Sequence, residues 1–247
     1  MKRVNLFIVG GQKCGTTALA SFLQQHPDIC LVDGKEAHIF DFMPVEQRCE
    51  QTLDQAYGQL TSHYQGERYL CDATPIYSYW QDIHGDLVEY SPDAKIIFML
   101  RDPVERAVSQ YQMEYGRGTE DKGIIEAFIS ESYRLKRAQG DRSQHSSWRL
   151  HSYIDRGFFS HQYDNLLKHF APEQILLIHN QSLRKYHDKT LEKVFDFLEL
   201  PNCKIPEKTV FSGKYSETGP TVKLAKLIAH WRLHQEREFV KQFEIID

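Results

Sequence analysis

The chain is short of the features that mark most specialised environments. No apolar run in its 247 residues approaches the roughly 20 residues of a membrane-spanning helix. The N-terminus has no signal-type apolar core, and a strand pattern starts so close to Met1 that no room for a leader is expected. Cysteine is sparse. Cys14, Cys30, Cys49, Cys71 and Cys203 are odd in number, scattered and without C-x-x-C spacing. That excludes a disulfide framework and a zinc-ribbon pattern, and it favours a reducing, cytoplasmic setting. Charge of one sign is lacking too. A net charge of −4 argues against a general nucleic-acid binder. Internal repeats, low-complexity tracts and Pro/Gly/Ser linkers are missing. His145, His151, His161 and His179 show no metal-ligand spacing, so no metal is expected.

What is present is a 41% hydrophobic chain, enough for one α/β domain over 1–247 with a sizeable core. Apolar runs predict strands at 4–9, 68–71, 95–100 and 174–178. Helical spacing predicts helices at 16–25, 44–63, 79–89, 103–115, 122–137, 159–170, 190–198 and 222–243. Strands alternating with helices imply a central parallel sheet between helical layers, a three-layer α/β/α fold. Ligands of such sheets bind beyond the carboxyl ends of the strands.

Two strand exits carry chemistry. The first run leads into Gly10-Gly11-Gln12-Lys13-Cys14-Gly15-Thr16-Thr17, a glycine-rich turn opening a helix. Loop N–H groups and the positive end of the helix dipole bind an anion there, with Lys13 adding a point charge and Thr16 and Thr17 adding hydroxyl donors. A nucleoside-triphosphate loop places Lys after its second Gly, whereas Lys13 precedes Gly15. At the second exit, Arg101 precedes Asp102-Pro103, an N-cap and a first-turn proline. Ser109 follows about two turns into that helix.

Together the two blocks resemble the sulfotransferases that use 3′-phosphoadenosine-5′-phosphosulfate (PAPS), most closely the heparan-sulfate-type branch. The resemblance implies a 5′-phosphosulfate loop formed by Gln12, Lys13, Cys14, Gly15, Thr16 and Thr17, and a 3′-phosphate site formed by Arg101 and Ser109. Gly213 and Lys214 fall where the family has its last nucleotide loop. Lys13 is expected to stabilise charge on the leaving phosphate. In Lys35-Glu36-Ala37-His38-Ile39-Phe40-Asp41, the residues Glu36, His38 and Asp41 match the branch, which makes Glu36 the expected base and His38 its orienter or substitute. An unperturbed Glu is a weak base near neutrality, so burial is expected to raise its pKa. Ala73 replaces a Lys of the branch in Asp72-Ala73-Thr74-Pro75, which leaves charge stabilisation to Lys13 and Lys35. Thr74-Pro75 reads equally as a strand-exit turn. Arg156 is a candidate acceptor contact. Arg117, Arg134, Lys136, Arg137, Arg142 and Arg149 are candidates for an anionic groove.

The implied reaction passes a sulfuryl group to a hydroxyl, or less readily an amine, of an oligosaccharide or other hydroxyl compound. It releases adenosine 3′,5′-bisphosphate, without metal, nucleic acid or membrane insertion; oligomeric state is not legible. A P-loop kinase and a non-catalytic nucleotide-binding protein are the competing readings.

Overall fold

The computed structural model describes residues 3–207 and 219–243. In chain order the elements are β1 (Leu6–Gly10), α1 (Thr16–Leu23), β2 (Ile29–Leu31), α2 (Ile39–Phe42), α3 (Glu50–Gln59), β3 (Tyr69–Asp72), α4 (Ile83–Tyr90) and β4 (Lys95–Leu100). Then come α5 (Pro103–Gly116), α6 (Ile124–Arg137), α7 (Ser147–Leu150), α8 (Phe159–Leu166), β5 (Ile175–His179), α9 (Asn180–Lys185), α10 (His187–Phe197) and α11 (Pro220–Lys241). They fall into two compact units. Among the described residues the first comprises 3–100, 161–207 and 243, and the second 101–160 and 219–242.

The first unit is built on a five-stranded sheet in the order β2-β3-β1-β4-β5, parallel at every pairing. This is the α/β fold with a central parallel sheet and flanking helices. A parallel sheet covered on both faces needs continuous apolar strands. β1 (LFIVG) and β5 (ILLIH) are buried at every residue, and Leu6, Phe7, Ile8 and Val9 are fully buried. Each such side chain contributes about 1.5–3 kcal/mol on leaving water. The chain leaves β1 for the edge strand β2, passing over β3, and leaves β4 for β5 on the other side. The outgoing connections of neighbouring β1 and β4 therefore diverge, which makes their carboxyl ends the topological switch point.

The second unit packs α5, α6 and α11 around Val104, Tyr111, Phe128, Tyr153, Ala229 and Leu233. Arg106 lies inside it, fully buried, donating from Nη1 to Gln110 Oε1 at 2.9 Å and from Nη2 to the Tyr153 carbonyl.

The departures from the sequence reading are local. The helix expected over 44–63 is a 3-10 turn at Val45–Gln47 followed by α3, because Cys49 between them is extended (φ −92°, ψ 161°). β2 has three residues and no alternation to betray it. The expected helix over 79–89 starts only at Ile83, and the one over 159–170 ends at Leu166.

Candidate functional site

The exit of β1 is shaped by close contact. A Cβ on Gly10 would lie 2.1 Å from Ser78 Oγ and 3.2 Å from the Pro75 carbonyl, so only glycine fits where the strand meets the 75–78 segment. The Gly11 N–H donates to the Met99 carbonyl of β4 at 2.7 Å, tying the loop to the switch point. Gly15, at φ 93°, turns the chain into α1 and offers no side-chain cap. The first-turn N–H groups of α1 therefore have no side-chain acceptor from the cap, although the Ala18 N–H donates to the Gly15 carbonyl at 3.0 Å, and they lie at the positive pole of the helix. Thr16, the first helical residue, is buried, and Thr17 is exposed. Gln12, Lys13, Cys14 and Gly15 form the turn itself, with Cys14 fully buried as a small packing side chain and its N–H donating to the Gly11 carbonyl at 3.0 Å.

A charged chain runs beside this loop. Lys35 Nζ lies 3.4 Å from Thr16 Oγ1 and 2.5 Å from Glu36 Oε1. Glu36 Oε2 lies 3.2 Å from His38 Nε2, and His38 Nδ1 lies 2.8 Å from Asp41 Oδ2. Burial pushes the Glu36 carboxyl up, but the His38 hydrogen bond and the Lys35 ammonium outweigh it and hold Glu36 below its ordinary value. The expectation that burial raises Glu36 is thus corrected. For His38, burial opposes the charge, yet the hydrogen bonds to Asp41 and Glu36 push its pKa up to about 9. His38 therefore stands as an imidazolium at neutral pH, which suits orienting Glu36 rather than replacing it.

The segment that carries these groups is fastened by side chains at the exit of β3. Asp72, fully buried, accepts from Tyr57 Oη at 2.8 Å, Thr74 Oγ1 at 2.6 Å and the Ala37 N–H at 3.3 Å. Thr74 Oγ1 accepts from the His38 N–H at 3.3 Å, and Tyr77 Oη accepts from the N–H groups of Ile39 and Phe40 at 3.1 and 3.4 Å. Thr74 is fully buried and braces the 35–41 segment. Tyr57 and Tyr77 are the supports that sequence reasoning missed; a tyrosine in an apolar pattern gives no hint of what its hydroxyl will hold. Among the described residues four non-glycine residues have positive φ: Lys13, Lys35, His38 and Glu199. Three of them belong to this loop pair, and such backbone strain concentrates where a site needs it.

Arg101 and Ser109 belong to the second unit, Arg101 directly after β4 and Ser109 on α5. Asp102 caps α5 as its sequence implies, accepting from the Val104 and Glu105 N–H groups at 3.0 Å, with Pro103 at the first position. Gly213 and Lys214 lie outside the described residues.

Three of the cations expected to face an acceptor are engaged within the fold. Arg156 is buried and donates to Ser152 Oγ at 2.7 Å and the Arg149 carbonyl at 2.5 Å. Arg134 is paired with Glu120 at 2.6 Å, and Arg149 is buried. His230 and His234 stand four residues apart on α11, but Arg237 Nη1 lies 2.8 Å from His230 Nδ1, and among the described residues no group of three His, Cys, Asp or Glu side chains is placed to hold a metal.

Residues 3–242 match the sulfotransferase domain family. The chain belongs to that family. It is 30% identical over 213 residues to the human heparan sulfate glucosamine 3-O-sulfotransferase 3B1, covering 84% of this chain and 48% of that protein. Against the bifunctional heparan sulfate N-deacetylase/N-sulfotransferase 1 of Caenorhabditis briggsae the identity is 27% over 203 residues, 80% of this chain and 23% of the other. The chain thus spans about half the length of the 3-O-sulfotransferase it matches, and less of the bifunctional one. Among solved structures, a sulfotransferase from Alicyclobacillus acidocaldarius superposes with a TM-score of 0.77 at 25% identity, covering 100% of this chain and 98% of the other. No helix among the described residues of this sulfotransferase-family chain is long and apolar enough to cross a membrane.

Proposed function

We propose that this chain is a PAPS-dependent sulfotransferase acting on a hydroxyl of a carbohydrate-like acceptor, as one sulfotransferase domain. The observation that carries the reading is the juxtaposition of an uncapped α1 N-terminus with the Lys35–Glu36–His38–Asp41 chain, joined at Thr16. The residues fit the donor's phosphosulfate. The turn from Gly11 to Gly15 has the backbone of an anion cradle, Gly10 leaves no side chain in the way, and the hydroxyl and ammonium groups supply the matching donors. PAPS, when bound, supplies an activated sulfuryl group on a phosphate leaving group.

The chain's own residues do the rest. Lys13, in the turn before α1, would supply the cation for charge that develops on the leaving phosphate, and a preorganised cation there acts where charge appears in the transition state. Glu36, ionised, takes the proton of the acceptor hydroxyl, and His38 holds it in place. Arg101 offers a planar fork to the 3′-phosphate and Ser109 a neutral hydrogen bond, a role that their place in the chain supports. Gly213 and Lys214 are assigned to the same end of the nucleotide. The relatives' names, heparan sulfate 3-O- and N-sulfotransferase, support a sugar hydroxyl first and an amine second. The odd number and scattered spacing of the five cysteines support a reducing, cytoplasmic setting.

Calorimetric titration with adenosine 3′,5′-bisphosphate, free of Mg²⁺, tests the reading on the parent and on Arg101→Ala. Binding by the parent that collapses in the variant is the expected result. Mg²⁺-dependent ATP binding with none of the bisphosphate would replace it with the kinase reading.

A further inference from the structure

Lys35 is a half-buried lysine held on a constrained backbone. Its side chain is only 15% exposed, whereas a lysine ammonium normally stays in water. Its backbone is pinned at both ends: its N–H donates to the Val32 carbonyl at 3.1 Å, and its carbonyl accepts from the Ala73 N–H at 3.1 Å. It also sits at φ 71°, a left-handed conformation that L side chains rarely adopt. The backbone is therefore fixed, and the freedom lies in the side chain that carries the ammonium. The ammonium lies between two groups of different kind. One is Thr16 Oγ1, at the first residue of α1, and the other is the Glu36 carboxylate.

We propose that Lys35 is a further catalytic residue, one that exchanges the Glu36 carboxylate for the sulfonate oxygens of the donor and so couples donor binding to release of the base. The inference rests on the PAPS reading above. In the free protein the ammonium neutralises Glu36 and occupies the space beside Thr16. A sulfonate arriving at the α1 N-terminus carries its negative charge on oxygens within reach of the same ammonium. Three N–H donors on a flexible side chain let the ammonium turn from one anion to the other while the backbone stays in place. Glu36 then keeps the His38 hydrogen bond but loses its nearest cation, and its affinity for a proton rises at the moment a proton must be taken. The acceptor oxygen bonds to sulfur, the bond from sulfur to the bridging phosphate oxygen breaks with its electron pair going to the phosphate, and the hydroxyl proton goes to Glu36. The charged and titratable groups facing Glu36 are Lys35 on its own segment and His38, which is itself backed by Asp41; Asp72, from β3, faces the same segment through the Ala37 N–H.

The test compares two nucleotides that differ only in the sulfonate. The parent, Lys35→Met and Lys35→Arg are titrated calorimetrically with adenosine 3′,5′-bisphosphate and with PAPS, without acceptor, and their turnover is followed against pH. Lys35→Met is expected to bind the bisphosphate as the parent does and to bind PAPS about tenfold or more weakly, the loss of one charge-assisted hydrogen bond. Lys35→Arg is expected to recover part of that loss. The acid limb of kcat/KM for the donor, which reports the free protein, is expected to move to higher pH in Lys35→Met. The acid limb of kcat, which reports the donor complex, is expected to stay in place. Equal weakening of both nucleotides would make Lys35 a support of the loop and overturn the assignment, as would unchanged PAPS affinity or acid limbs that move together. A parent that binds neither nucleotide would overturn the PAPS reading and this inference with it.

Discussion

Glu36 in the first unit and Glu131 in the second are both glutamates withdrawn from water, and their surroundings send them in opposite directions. Glu131, on α6, is fully buried and accepts from the N–H groups of Ile154 and Asp155 at 2.9 and 2.8 Å. Burial pushes its pKa up to about 7, against the pull of those amides. Glu36 is about a third exposed, touches a full positive charge on either side and is held low despite burial. Backbone dipoles temper the cost of burying a carboxylate, whereas a lysine and an imidazolium reverse it. Glu131 therefore anchors a chain turn and titrates near neutrality, while Glu36 is ionised and available to a proton.

The sharpest way to break this contrast is Glu36→Gln, which keeps shape and removes the charge. It should cost about 100- to 10,000-fold in turnover, the usual range for a general base, with bisphosphate binding retained. Transfer of labelled sulfonate at a few-fold of parental rate would end the assignment of Glu36. Lys13→Ala should cost about 100-fold or more in turnover, equivalent to roughly 2.7–4 kcal/mol of barrier, read in the same assay.

The next effects concern stability. The raised pKa of Glu131 means that its favourable contribution is complete below its ordinary value of 4.5 and is lost as pH rises through about 7. Glu131→Gln, which is neutral throughout, should therefore gain in melting temperature relative to the parent as pH climbs across that window. A constant offset would show that Glu131 does not titrate there. The raised pKa of His38 has the same sign at a different place: its contribution is complete below 6.5 and is lost as pH rises through about 9. The melting difference between parent and His38→Gln should shrink across that interval. It should be the smallest of the four effects, since His38 is about a third exposed and its ion pairs are screened.

Much of this was legible in the chain because the decisive signals were local. Continuous apolar runs marked β1, β3, β4 and β5, and Asp102-Pro103 marked the start of α5. The spacing of glycines and threonines marked the turn into α1. What escaped notice depended on groups distant in sequence. The three residues of β2 are a strand only because β3 pairs with them. The role of Asp72 depends on Tyr57 and Ala37 reaching it from either side of the sequence. Whether burial or pairing governs Glu36 depends on distances that spacing does not encode, and Arg156 and Arg134 read as surface cations because their partners are invisible in a linear pattern. The positive φ of Lys35 and His38 had no sequence mark at all, since neither position carries glycine.

The fastening of the 35–41 segment has a consequence for how this chain can change over generations. The sheet is held by backbone ladders that no single replacement rewrites, and the 10–17 loop leaves one of its strands and is tied by its backbone to another. The 35–41 segment hangs instead from a few side chains, chiefly Asp72, Thr74 and the one hydroxyl of Tyr77. A Tyr77→Phe change would leave two amides without that acceptor while the ladder beneath stays intact. Point changes in these pegs can therefore reshape the 35–41 segment over generations, while the sheet and the loop tied to its ladder keep their form.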